Sequence, residues 1–311
     1  MKIVFMGTPE YAAKSLEAVI LSGREVVLVI TQPDKPKGRS GELIASPVKE
    51  CAQRHGIPVF QPERIKRPEA VEELRKYEAD VFVVAAFGQI LSQEILDMPR
   101  LGCLNVHASL LPKYRGASPI QHVILDGEEN TGITIMKMDA GIDTGDILYQ
   151  KEIPIDPKDN YETLCDKLAD LGGEAITEAL ELLEAGELSA VKQDDELSSY
   201  APIIKKEMGR LDFAKPAVSL DRQIRSMTPW PSAFTKWNGK QLKIWKAAPL
   251  AETVKKAVPG EVTHVEKDFF IVSTGEGSLR IEEVQLEGKK RMSCHDFLLG
   301  VKVVPGDRLG A

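Results

Sequence analysis

The sequence predicts an α/β domain built on a doubly wound sheet, followed by a small β domain. Three observations predict it. Short apolar runs alternate with helical patterns through the first 190 residues, periodicity lapses at 190–206, and short β-rich runs with turn signals fill the last hundred. A chain of 311 residues also exceeds what one hydrophobic core usually covers, so two domains of unequal size are expected.

Ile3 to Met6 is an all-apolar run of the kind buried inside a parallel sheet. Glu10 to Ser22 follows with helical spacing at Tyr11, Ala12, Leu16, Val19 and Ile20. Val26 to Thr31 is the next strand, and a Pro/Gly-punctuated loop leads to a helix over Ser46 to His55. Further strands are expected at Val59-Phe60, Val81 to Ala86, Cys103 to Val106 and Ile133 to Met138, and Leu164 to Leu183 reads as a long helix. In such a sheet ligands bind outside the carboxyl ends of the strands, so functional residues are expected just after strands. The boundaries that follow are 1–189 for the first domain, 190–206 for an extended linker and 207–311 for the second. In the second, strands are expected over Ser232 to Trp237, Leu242 to Trp245, Glu261 to Val265, Phe269 to Val272 and Leu279 to Val284, with a hairpin turn at Asn238-Gly239. That pattern suits a small barrel.

Composition narrows the function classes. A hydrophobic share of 43% with 28% charged residues supports a packed core and excludes collagenous and disordered chains. The amino terminus reaches Gly7 too early for a signal-peptide apolar region, and no run approaches a membrane span. Cys51, Cys103, Cys165 and Cys294 form no CxxC pair, so buried reduced thiols in a cytoplasmic chain are expected. A monomer with no membrane partner is the accompanying expectation. The five histidines are scattered and no metal-ligand spacing occurs, so no metal is expected. Net charge is −7, but it is unevenly spread. Residues 201–311 hold 19 cations against 13 acids, while residues 1–200 hold 21 against 34. Within 205–246 there are ten cations and three acids, which fits an anionic partner or a solvated lysine-rich surface.

Gly7-Thr8-Pro9 ends the first strand without the G-x-G-x-x-G of a dinucleotide site, which disfavours a nicotinamide dehydrogenase. The informative stretch is Asn105-Val106-His107-Ala108-Ser109-Leu110-Leu111-Pro112. Residues two apart on a strand project to the same side, so Asn105 and His107 share one face at the ligand-binding edge. An amide and an imidazole aimed at one point suit acyl transfer, where a developing oxyanion needs donors and an attacking amine must lose a proton. For a lone pair, a structural Asn and a hydrogen-bonded core His is the commoner reading. Two neighbours argue against it here: the rigid apolar loop Ser109 to Pro112, and the acidic loop Asp139-Ala140-Gly141-Ile142-Asp143-Thr144-Gly145-Asp146 after the strand at 133–138, from which a carboxylate can reach the imidazole. Asx-turns account for some of those acids.

Asn105-x-His107-x-Ser109-Leu110-Leu111-Pro112, with Gly116 soon after, and Asp139-x-Gly141-x-Asp143-x-Gly145 resemble the two signatures of the folate-dependent formyltransferases. Phe5 to Pro9, Thr31 to Pro36, Gly38-Arg39, Ser46 to Lys49, Pro229-Trp230-Pro231 and Pro305-Gly306 extend the resemblance over nearly the whole chain and narrow it to members that act on methionyl-tRNA. Lys137, Ala140 and Glu42 depart from the usual residues at their positions. The resemblance implies a Rossmann-like domain followed by an OB-like barrel, with 10-formyltetrahydrofolate as co-substrate, no metal, and initiator methionyl-tRNA as acceptor. It implies a catalytic set of Asn105, His107 and Asp143. It further implies a folate site at Ser109, Leu110, Leu111, Pro112, Phe87, Ile90 and Asp139, with plain core as an equal reading of Phe87. Lys35, Lys37 and Arg39, on the loop after the second strand, and Lys205, Lys206, Arg222 and Arg225, in the basic half, are then the expected tRNA contacts.

Overall fold

The computed structural model describes residues 1–37, 42–252 and 257–310, and these fall into two compact units. The first comprises Met1–Pro119, Asn130–Pro154 and Cys165–Ala201, and the second comprises Ile120–Glu129, Ile155–Leu164 and Pro202–Ala311.

In the first unit β1 (Lys2–Gly7), α1 (Glu10–Leu21) and β2 (Glu25–Ile30) are followed by a two-stranded hairpin, β3 (Lys35–Lys37) with β4 (Glu42–Ile44). Then come α2 (Pro47–Arg54), β5 (Val59–Phe60), α3 (Pro68–Arg75), β6 (Val81–Ala85), α4 (Gln93–Leu96) and β7 (Cys103–His107). Ser46 starts α2 by accepting a hydrogen bond from Lys49 N at 3.1 Å, and Pro47 occupies the first turn, where a missing N–H costs nothing. After α5 (Pro119–Asp126), counted with the second unit beyond its first residue, come β8 (Asn130–Lys137) and β9 (Ile147–Pro154). The long α6 (Tyr161–Ala185) starts in the second unit and lies in the first from Cys165 onward.

The main sheet runs β5-β2-β1-β6-β7-β8-β9. The five strands from β5 to β7 are parallel, and the order reverses direction of winding between β1 and β6. Val4, Met6, Leu28, Ile30, Phe82 and Val84 form one buried face, packed on Val71 and Leu74 of α3 and Ile95 of α4. Ile3, Phe5, Val29 and Val83 on the other face are equally buried, which is why these strands read as continuous apolar runs rather than alternating ones. The last two strands of this doubly wound sheet, β8 and β9, pair antiparallel with β7 and with each other. β9 was absent from the expected strands altogether. It is a half-exposed edge strand, carrying Lys151, Glu152 and Pro154, so it has no apolar run to signal it.

The second unit contains α7 (Ala217–Ser226), β10 (Ala233–Trp237), β11 (Lys240–Leu250), β12 (Val262–Val265), β13 (Phe270–Ser273), β14 (Ser278–Leu286), β15 (Met292–Ser293) and α8 (Cys294–Gly300). The strands make one antiparallel sheet, β10-β11-β14-β13-β12, with β15 added on β14. Asn238 and Gly239 both take positive φ in the two-residue turn between β10 and β11, as a hairpin that matches strand twist requires. Trp237, Ile244, Phe270, Leu279 and Ile281 fill the core beneath Leu220 of α7 and Phe297 of α8, and Trp237 meets Phe297 edge-on at 6.0 Å. Trp230 is 58% exposed. No helix among the described residues is long and apolar enough to cross a membrane.

Candidate active site

Asn105 and His107 stand on the last turn of pleat in β7, opposite Met136 and Thr134 of β8. The loop that returns from β8 to β9 brings Asp143 to both. Asn105 Nδ2 donates to Asp143 Oδ1 at 3.4 Å, and His107 Nδ1 lies 3.6 Å from Asp143 Oδ2. The second distance is that of an ion pair and is longer than a hydrogen bond, as catalytic contacts often are without substrate. His107 is 6% exposed, and the Asp143 side chain 16%.

The tautomer of His107 follows from its other nitrogen. Nε2 meets the carbonyl oxygen of Tyr114 at 2.9 Å, and a carbonyl only accepts, so Nε2 carries a hydrogen. The other ring nitrogen, Nδ1, is the one beside Asp143. Placing the Tyr114 carbonyl over the ring costs backbone strain, because Tyr114 sits at φ +60°, unusual for a bulky residue. Tyr114 N is held in turn by Ser199 Oγ at 2.9 Å.

Asp143 is also in the left-handed region, at φ +54°. Its Oδ2 accepts from Gly116 N at 2.8 Å, and Gln193 Nε2 spans the Asp143 and Gly145 carbonyls at 2.8 and 2.7 Å. Gln193 is oriented by Arg115, whose Nε donates to Gln193 Oε1 at 2.9 Å while Nη2 pairs with Asp195 at 2.8 Å. Gln193, Asp195 and Ser199 lie in the stretch expected to be an extended linker. Here it is fastened to the first unit, with Val191 bridging Ile147 and Ala201 hydrogen-bonded to Arg115. Tyr114, Arg115, Gln193 and Ser199 were not singled out in the sequence, whereas Gly116 was noted after the Asn105 to Pro112 motif. Contacts such as Arg115 to Gln193 span 78 residues and leave no local signal.

The remaining expected folate residues divide. Ser109 and Leu111 are buried, and their loop is pinned through Thr134, whose hydroxyl accepts from Leu111 N at 3.0 Å and donates to Ser109 O at 2.7 Å. Gln150 of β9 donates to Leu111 O at 2.9 Å. Leu110 lies over Gly132, where a Cβ would come within 2.7 Å of it, and Pro112 is half-buried. Phe87 and Leu91 belong to the core on β6, whereas Ile90 is 81% exposed. The Phe87 carbonyl accepts from Thr8 Oγ1 and Gln32 Nε2, both at 3.1 Å, which ties the ends of β1, β2 and β6 together. Asp139 is exposed, and its Oδ1 accepts from Gly141 N at 3.0 Å and Thr144 Oγ1 at 2.7 Å, so it shapes the acidic loop.

Among the expected tRNA contacts, Lys35 is exposed after Asp34, which Lys49 and Gln61 hold at 2.6 and 2.7 Å. Arg39 lies outside the described residues, as does the side chain of Lys37. Lys205 and Lys206 are exposed on the second unit. Arg222 reaches Asp126 O at 3.3 Å. Arg225 is spent within the fold, with Nε on Asp221 Oδ2 at 2.8 Å and Nη1 on Asp159 O at 2.9 Å.

Residues 1–180 match the profile described as formyl transferase, and residues 203–302 match formyl transferase, C-terminal domain. The chain belongs to the formyl transferase family. Full-length relatives in this family include the methionyl-tRNA formyltransferases of Lachnospira eligens, 51% identical over 315 residues with both chains fully covered, and of Geobacter sulfurreducens, 49% identical over 310 residues covering 100% of this chain and 97% of that one. Among solved structures, an N-formyltransferase from Helicobacter canadensis in complex with folinic acid and dTDP-3-aminofucose superposes with a TM-score of 0.68 at 21% identity, covering 94% of this chain and all of the other. At that identity the likeness is one of formyl transferase fold.

Proposed function

We infer that the chain transfers the formyl group of 10-formyltetrahydrofolate to the amino group of methionyl-tRNA, the step that prepares the initiator for protein synthesis. The observation that carries the chemistry is the convergence of an amide, an imidazole and a carboxylate within 3.4 to 3.6 Å at the carboxyl end of β7. Identity near 50% over the full chain to methionyl-tRNA formyltransferases supports the acceptor.

The folate supplies a formyl carbon at the level of an amide. Exposed Ile90 and half-buried Leu110 offer apolar contact to a flat ring. The amine forms a bond to the formyl carbon, the carbonyl electron pair moves to oxygen, and collapse breaks the bond to the donor nitrogen, which takes up a proton. Asn105 Nδ2 and the Nδ1–H of charged His107 donate to that oxygen as negative charge develops, each such donor being worth roughly 10²- to 10³-fold in rate. Asp143 holds the charge on the ring and accepts the amine proton through water, a role worth roughly 10²- to 10⁴-fold. Lys35, Lys37, Arg39, Lys205 and Lys206 are assigned to the tRNA backbone; Arg222 and Arg225, held by protein acceptors, serve it by supporting the fold around them.

The deciding experiment measures formyl incorporation from the folate donor into methionyl-tRNA, free methionine and a small amino-sugar nucleotide. Incorporation confined to methionyl-tRNA is expected; equal or faster transfer to the sugar nucleotide would overturn the acceptor assignment.

A further inference from the structure

On the side of the sheet where α1 meets α2, three side chains of metal-ligand type converge, although neither their spacing nor the formyl-transfer reaction calls for it. Cys51 and His55 are four apart at the end of α2, one helical turn, so both project toward α1. Glu17 of α1 lies between them. Its Oε2 is 2.9 Å from Cys51 Sγ, its Oε1 is 3.0 Å from His55 Nε2, and one ligand atom from each residue can be chosen with all three within 4.8 Å of one another. A tetrahedral zinc ion with bonds of about 2.0 to 2.3 Å needs its ligand atoms roughly 3.2 to 3.7 Å apart, so small side-chain shifts close the set around one ion.

We propose that Glu17, Cys51 and His55 form a three-ligand zinc site that staples α1 to α2, with water completing the tetrahedron. A thiol, an imidazole and one carboxylate select zinc or another borderline-soft divalent ion over magnesium and calcium, which require oxygen donors. Binding forms Zn–S, Zn–N and Zn–O bonds and releases the Cys51 thiol proton to buffer. Without the ion, burial and the neighbouring Glu17 carboxylate push that thiol up to about 12, and the thiol's hydrogen bond holds the Glu17 carboxyl below its usual range. Arg54 Nη2, 3.3 Å from Glu17 Oε2, is the cation the metal displaces; its side chain is 66% exposed and free to swing into solvent. Cys51 is buried while His55 is exposed, so the site has a protein floor and an open mouth.

The test is equilibrium dialysis of the full, chelator-stripped chain against buffered Zn²⁺, repeated with Co²⁺ followed by absorption spectroscopy and with Mg²⁺ as control. The expected result is one Zn²⁺ per chain, affinity at least tenfold weaker in Glu17→Gln and His55→Ala, and a thiolate-to-cobalt charge-transfer band that vanishes in Cys51→Ser. Both partly exposed variants keep the question decidable if Cys51→Ser fails to fold. No saturable binding, or binding and a charge-transfer band that persist in all three variants, would overturn the proposal.

Discussion

Asp143 is the residue on which the site turns, and it is held from four directions: Gly116 N, Asn105, His107 and the main-chain clamp of Gln193. A residue at φ +54° stays there only if its surroundings insist. Gln193 supplies that insistence without touching the carboxylate, so it is a positioning residue. Gln193→Ala leaves two carbonyls without their donor, a loss of about 1 to 3 kcal/mol concentrated in the acidic loop. The expected outcome in steady-state kinetics is a fall in kcat of tenfold or more with a smaller change in the KM for folate, and Gln193→Glu fails to rescue because it brings a second negative charge without the donor. The placement of Asn105 and His107 on one face was legible because they stand two apart at a strand end. Gln193 was not, since its meaning depends on where a loop 50 residues away is folded.

Elements were legible in proportion to how completely they bury. β1, β2 and β6, covered on both faces, announce themselves as apolar runs, whereas β9 at the edge and α7 do not. α7 hides Asp221 and Gln223 beneath a polar sequence, and Gln223 donates to the Met208 and Arg210 carbonyls at 2.7 and 3.0 Å, a tertiary contact with no periodic signature. The antiparallel turn of β8 was equally hidden, because a helix between two strands reads as a parallel crossover. β8 matters to the site through Thr134 and Gly132. A Cβ at Gly132 would stand 2.0 Å from the Lys151 carbonyl of β9 and 2.7 Å from Leu110. Gly132→Ala is therefore expected to lower the urea midpoint, by roughly 1 to 3 kcal/mol of stability, and to displace the Leu110 loop. An unchanged midpoint would mean that β8 and β9 separate without penalty.

At the scale of the whole molecule, the total charge of −7 conceals two opposed parts, and the cations of 201–311 are themselves of two kinds. Arg225, Arg280 and Arg291 are paired with Asp221, Glu282 and Glu283, so part of the basic count is consumed by the fold. Lys205, Lys206, Lys215, Lys236 and Lys240 remain exposed. If exposed lysines carry the tRNA contacts, log affinity falls linearly with log salt, with a slope of roughly −0.7 to −0.9 for each phosphate neutralised. Filter binding of methionyl-tRNA should show that slope, and the double variant Lys205→Glu, Lys206→Glu should flatten it by about 1 to 2. The sequence showed where positive charge accumulates but not which cations were already partnered, because pairing is a property of the folded chain.

The most direct measurement is the rate of formyl transfer to methionyl-tRNA by Asp143→Asn, a change that keeps the size and one acceptor oxygen of the side chain while turning the other into a donor amide and removing the charge beside His107 Nδ1. A chain that folds normally and loses at least 10²-fold in kcat is the predicted result. Retention of the unmodified rate would contradict the assignment of Asn105, His107 and Asp143 as one catalytic unit.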